Sequence, residues 1–271
     1  KYLKYKRKYL NLKYKQKGGS NISKDFLIIV PAGDNSFHVN WTKKRSNIFD
    51  LFIIYFGDNN EIEKQYKNNS DFFIKKKGPK WQLIRHVLLY FNKNDFNWRK
   101  YKYIWLPDDD LDISQKDLNQ FLLTSKKLEL KLSQPSLRPR DLKLKDQFKI
   151  LKDWDIMKEN SDKYIGWYSF YKKNQNKKTE LIHEYISYKM LLQMYPKKNK
   201  IIKYVNFIEI MCPLFELSFL ESVVNLFDQD YVQSGFGLDN IWAKKLNYEN
   251  MAVIDFISVI HMRKLGIKSK N

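Results

Sequence analysis

Three mostly apolar runs constrain the fold of this chain more than any other feature. Phe26-Leu27-Ile28-Ile29-Val30 is wholly apolar, and Phe49 to Phe56 and Tyr101 to Leu106 are each broken only at their second residue, by Asp50 and Lys102, so none of them alternates. A strand with one wet face alternates, so continuous runs mark strands buried on both faces. The first run stops at Pro31-Ala32-Gly33, the second at Gly57-Asp58-Asn59-Asn60, and the third empties through Pro107 into Asp108-Asp109-Asp110. A weaker strand at Asp71 to Ile74 leads into Gly78-Pro79. Pro79 opens a helix, since proline is tolerated in a first turn, and Trp81, Ile84, Leu88 and Phe91 follow at helical spacing. Such strands alternating with helices predict an α/β fold, a mostly parallel sheet covered by helices on both faces. Ligands bind such sheets at the carboxyl ends of strands. Both the Pro31–Asn35 loop and the aspartate triplet stand at such ends.

Further along, Leu128 to Leu132 reads as a strand followed by a Ser133-Gln134-Pro135-Ser136 loop, and Tyr204 to Met211 as another strand. Ser218-Phe219-Leu220-Glu221 has the form of a capping box opening a helix through Phe227. Ser234 to Gly237 reads as a turn before a second helix that begins at Leu238-Asp239. Met251 to Ile257 closes the fold as a strand, with His261 after it.

The formal charge of +20 invites a nucleic-acid reading, so its location matters. Residues 1–24 hold nine basic and no acidic residues, and residues 141–200 hold fourteen lysines against eight acids. The first segment reads as a basic tail, helical or disordered, and the second as a Lys-rich helical insertion in a single domain spanning 25–271. No zinc, RNP or helix-turn-helix pattern accompanies the charge, so nucleic acid is not an obligatory partner. Cys212 is the only cysteine, which excludes intramolecular disulfides and fits a reducing compartment. Neither a membrane-length apolar run nor a signal peptide is visible, giving a cytoplasmic expectation. The chain does not begin with Met, so a removed upstream segment stays open, and oligomeric state is not legible.

The triplet carries the most chemistry. Each like-charged pair at contact repels by roughly 4 kcal/mol at an effective dielectric of about 20. Solvation, protonation or a divalent cation relieves that repulsion. If the chain stays extended there, Asp108 and Asp110 share a face and Asp109 points away, a pincer for Mn2+ or Mg2+. A solvated acidic turn is the alternative. Asp239, at a helix start, is either a base or an N-cap. His261 is either a metal ligand or a core histidine. Glu209 interrupts an apolar stretch, and a buried carboxylate needs a partner.

The segment Tyr103 to Leu111 resembles the strand plus DXD motif of GT-A glycosyltransferases, a Rossmann-like fold. It looks closest to a glycosyltransferase-like family of plants, bacteria and protists long catalogued as a domain of unknown function. That family has Trp-Asp-Glu-Asp-Leu where this chain has Pro107-Asp108-Asp109-Asp110-Leu111. Lys80-Trp81, Ser133-Gln134-Pro135, Asn206 to Phe215, Gly235 to Asp239 and Val253 to His261 match it as well, so the resemblance covers about 25–140 and 185–266. The Lys/Tyr/Leu tail resembles N-termini of giant-virus (mimivirus-like) proteins, which would place the chain in host cytoplasm or a virion.

The resemblance implies transfer of a sugar from a nucleotide-diphosphate donor, a UDP-sugar foremost, to a glycan or protein hydroxyl, with Mn2+ or Mg2+. Carried over, Asp108, Asp110 and His261 hold the metal. Pro31, Ala32, Gly33, Lys80, Arg85, Asp108 and Asp109 meet the nucleotide. Asp239 is the base of an inverting reaction, and Glu209 faces the acceptor. A silent GT-A-like binding module, a metal-dependent phosphoryl-transfer enzyme and a basic nucleic-acid-binding protein are the competing readings.

Overall fold

The computed structural model describes residues 24–42, 46–91, 96–139, 201–228, 235 and 237–262. The expected basic tail and the Lys-rich insertion lie outside the described residues, apart from the tail's last residue, Lys24.

The strands are β1 (Phe26–Ala32), β2 (Phe49–Tyr55), β3 (Phe72–Lys75), β4 (Tyr103–Trp105), β5 (Leu111–Asp112), β6 (Leu132–Pro139), β7 (Ile202–Tyr204), β8 (Leu214–Glu216) and β9 (Met251–His261). The helices are α1 (Asn60–Asn69), α2 (Lys80–Tyr90), α3 (Gln115–Lys127), α4 (Leu217–Val223) and α5 (Leu238–Lys245). The strands join one mixed sheet in the order β3-β2-β1-β4-β8-β6-β9-β5, and β7 also pairs with β9. β1 runs parallel to β2 and β4, and β2 parallel to β3. β8 joins this half to β6 by antiparallel pairing on both sides. Beyond it β6 and β9 are parallel, while β5 and β7 lie antiparallel to β9. Every residue of β1 is buried, so the sheet is covered on both faces, as its unbroken apolar run requires. No helix among the described residues is long and apolar enough to cross a membrane.

Helix starts follow local chemistry. The Asn59 side chain accepts from the amides of Glu61 and Ile62 at the head of α1, and Ser114 accepts from Asp117 at the head of α3. At α4 the cap is Glu216, whose carboxylate takes the Phe219 amide and the Ser218 hydroxyl. The expected cap, Ser218, therefore lies one residue inside the helix.

Three expected elements move. Leu128 caps the end of α3, and the strand there begins at Leu132 and runs through Ser133-Gln134-Pro135-Ser136. These polar residues tolerate burial because they are bonded: Ser133 donates to Ser125 at 2.9 Å and Ser136 to the Ile257 carbonyl at 2.9 Å. The β6–β9 register shifts between Pro135 and Ser136, consistent with a proline that has no N–H for the ladder. The expected strand over Tyr204 to Met211 is confined to Ile202–Tyr204, and residues 205–213 form a loop. β9 extends past Ile257 and includes His261.

Candidate active site

β4 ends at Trp105, and its exit is set by hydrogen bonds to a distant loop. Leu106 N–H donates to the Pro213 carbonyl at 3.0 Å, and Asp108 N–H to the Met211 carbonyl at 2.6 Å. The chain then turns at Asp109-Asp110. The triplet is thus not extended, and the expected alternation of its side chains does not hold. Asp109, the member expected to point away, is buried, and its Oδ2 accepts the Gly33 N–H at 2.9 Å. Asp110 is also buried and its Oδ2 lies 3.4 Å from Nε2 of His261. Asp108 is the more exposed member, and its Oδ1 accepts from Lys80 Nζ at 2.6 Å.

A cleft of about 260 Å³ opens over this turn, lined by Pro31, Phe56, Gly78, Lys80 and all three aspartates. Gly33 permits its shape: a Cβ there would lie 2.9 Å from the Phe56 ring and 3.6 Å from Asp109 Oδ2. The floor is bolted from below. Phe37 N–H donates to the Asp109 carbonyl at 2.7 Å, Trp41 Nε1 to Leu111 O at 2.8 Å, and Tyr66 Oη to Gly33 O at 3.2 Å. His38 is buried beside Ser36 Oγ (2.6 Å) and against the Tyr66 ring, and burial pushes its pKa down to about 4, so it is neutral.

Glu209 stands next to this cleft, in the loop rather than a strand. Its N–H donates to Gln134 Oε1 at 2.7 Å, and its Oε2 accepts the Met211 N–H at 2.5 Å. Burial raises its pKa to about 8; the Met211 N–H opposes this, Asp108 and Asp239 add to it, and Lys80 again opposes. Asp239, near enough to contribute, is buried in the first turn of α5. Burial lifts its pKa to about 6 against the Asn240 N–H that bonds its Oδ1 at 2.7 Å.

The structure therefore gathers Pro31, Lys80, Asp108, Asp109 and Asp110 in one cleft, with Gly33 and His261 bonded to its carboxylates and Glu209 and Asp239 beside it. Ala32 is fully buried and pairs with Tyr55 in the sheet. Arg85 does not line the cleft; its guanidinium lies over the Tyr90 ring at 5.4 Å. Phe56, Ser36, His38, Tyr66 and Gln134 are site or support residues absent from the sequence-based set. Gln134 left a signal only within the Ser133-Gln134-Pro135 stretch that matches the family, since the sequence placed it in a loop and not in the buried strand where its amide needs a partner.

The donor set suits a hard divalent cation in part. Asp110 and His261 offer a carboxylate oxygen and an imidazole nitrogen side by side. Asp108 is engaged by Lys80, and no group of three or more His, Cys, Asp or Glu side chains among the described residues is gathered as a ready-made cage.

A family model described as "Protein of unknown function (DUF707)" matches residues 75–271. The chain belongs to this family. No curated protein matches it in sequence. Among solved structures, residues 1–349 of TarS from S. aureus share the fold, with a TM-score of 0.50 and 9% identity over 88% of this chain and 60% of that one. The same TarS segment in complex with UDP-GlcNAc gives a TM-score of 0.50 and 10% identity over 90% and 60%. This family member thus spans about 60% of those chains' length, and at such identity the likeness bears on fold alone. The fold is the GT-A-like, Rossmann-type sheet that the DXD-like segment implied. The giant-virus likeness rests on the tail outside the described residues.

Proposed function

We propose that the chain is a glycosyltransferase that moves a sugar from a nucleotide-diphosphate donor, a UDP-sugar foremost, to a hydroxyl acceptor on a glycan or protein. The observation that carries this reading is the cleft at the carboxyl end of β4, lined by Lys80, Phe56 and all three aspartates, with His261 3.4 Å from Asp110 and the buried carboxyls of Glu209 and Asp239 beside it. A cleft that combines an aromatic ring with charged groups suits a ligand with an aromatic base and a polyanionic tail. The TarS segment that shares the fold was solved with UDP-GlcNAc.

In this reading Pro31, Gly33, Phe56, Lys80 and Asp109 shape the donor side, with Ala32 buried behind it in β1. Asp110 and His261, with Asp108 beside them, would hold Mn2+ or Mg2+, which supplies positive charge against the departing diphosphate. The acceptor oxygen attacks the anomeric carbon as the bond from that carbon to the diphosphate oxygen breaks and its electron pair leaves with the diphosphate. The acceptor proton passes to Asp239, whose Oδ1 is steadied by Asn240 and whose pKa near 6 leaves it ionised at neutral pH. Direct displacement inverts configuration at that carbon. Glu209, neutral at pH 7, donates a hydrogen bond to the acceptor.

Melting temperature measured with UDP-, GDP-, TDP- and CMP-sugars, with and without Mn2+, tests the reading. One nucleotide should raise it in a Mn2+-dependent way, and Asp110→Ala should abolish the shift while leaving the unliganded melting temperature within a few degrees. A shift without sugar transfer would leave a binding module. No shift with any nucleotide, with salt-sensitive oligonucleotide binding, would overturn the reading.

A further inference from the structure

Lys80 occupies a position that helix electrostatics disfavours. It is the first residue of α2, where the free N–H groups carry partial positive charge and no acidic residue balances them. Its side chain is nevertheless only 18% exposed. An ammonium group has three N–H donors, and here three acceptors meet it: Asp108 Oδ1 at 2.6 Å, Ile210 O at 2.9 Å and Met211 O at 3.2 Å. The Trp81 ring lies beneath the ammonium at 4.9 Å from its centroid. No donor remains for another ligand unless one of these bonds is given up.

The partners come from two separate parts of the site. Asp108 belongs to the exit of β4, and Ile210 and Met211 to the turn that carries Glu209. The same turn receives Asp108 N–H at the Met211 carbonyl and closes on itself through Met211 N–H to Glu209 Oε2. We propose that Lys80 is a positioning residue, a latch that fixes the spacing between the donor-side carboxylates and the Glu209 turn, and not a contact to the donor nucleotide. This departs from the role the family resemblance implies for it. The kinetic part of the inference rests on the proposed glycosyl transfer; the structural part does not.

The test replaces Lys80 with Met, which keeps the stem and removes the donors. Hydrogen exchange at the Asp108 and Met211 amides should accelerate by about 10-fold or more as the turn opens. UDP binding in the presence of Mn2+ should change by less than about 3-fold while kcat falls about 10- to 100-fold, the effect of misplacing a reacting group. Lys80→Arg, which retains a cation and several donors, should recover part of both protection and kcat. Unchanged exchange with UDP binding weakened by about 10-fold or more would make Lys80 a donor contact and overturn the latch. If the wild type neither binds UDP nor transfers sugar, the proposed function fails and the exchange result alone decides the latch. Should Lys80→Met not fold, Asp108→Asn removes the charged partner at constant shape. Faster exchange at Met211 then supports the latch, and unchanged exchange overturns it.

Discussion

Glu209 and Asp239 are both carboxyls raised by burial, to about 8 and about 6, and the gap between them assigns their roles. A folded-state value above the ordinary 4.5 means that the folded protein holds the Glu209 proton more tightly than the unfolded chain. The contribution to stability is complete below about 4.5 and is lost as pH rises to about 8. Glu209→Gln cannot ionise, and its amide oxygen can still accept the Met211 N–H. It should match the wild type in denaturant unfolding near pH 4 and exceed it at pH 8.5, by on the order of a few kcal/mol. A difference that does not change with pH would show that Glu209 is already ionised at neutral pH. For Asp239 the sign concerns activity. The base must be ionised, so log kcat/KM should climb with unit slope below about pH 6 and level off above it. Asp239→Asn should lose roughly 10²- to 10⁴-fold in kcat while retaining UDP binding by calorimetry.

At the scale of elements, α5 is aimed by one close approach. Gly235 has a φ of +78°, and a Cβ there would lie 2.2 Å from Trp81 Nε1 and 3.1 Å from Ile210 Cδ1. Trp81 has little room to move, since it is buried against Phe227 and Trp242 at ring separations of 4.9 and 5.2 Å. Gly235→Ala should therefore shift the start of α5 and Asp239 with it. Stability should fall by about 1–3 kcal/mol, with kcat falling more than donor KM rises, as read from melting and steady-state kinetics. The central elements were legible because physics writes them locally. β1 and β4 are continuous apolar runs and β2 is one from Leu51 on, and α2 and α5 begin where Pro79 and Gly237 say they should. α3 is absent from the sequence-based expectation although Ser114 and Asp117 form a cap and Leu118, Phe121 and Leu122 share a face. β6 was hidden because its polar residues become tolerable only once β9 and α3 supply partners. The triplet misled for a related reason: its turn is imposed by Met211, about a hundred residues after Asp108, and by Gly33, 76 residues before Asp109.

On the scale of the whole molecule, most of the excess charge lies outside the described residues. Residues 1–24 and 141–200 hold most of the +20, while the described core is assembled from residues 26–137 and 207–259. β6 ends beside His261, and the chain returns at β7, whose Ile202 pairs with Ile254 of β9. At about 3.3 Å per residue, the separation of those two points along β9 is on the order of 20–25 Å. A Gly/Ser linker of about 12 residues can span it. Replacing 141–200 with such a linker should leave a cooperatively unfolding domain that still shows any UDP and Mn2+ stabilisation of the full chain. Removing 1–23 as well should lower the salt needed to elute the protein from a cation exchanger, because the polyanion affinity goes with those segments and not with the sheet. Loss of cooperative unfolding in the linker variant would instead show that the Lys-rich segment completes the core.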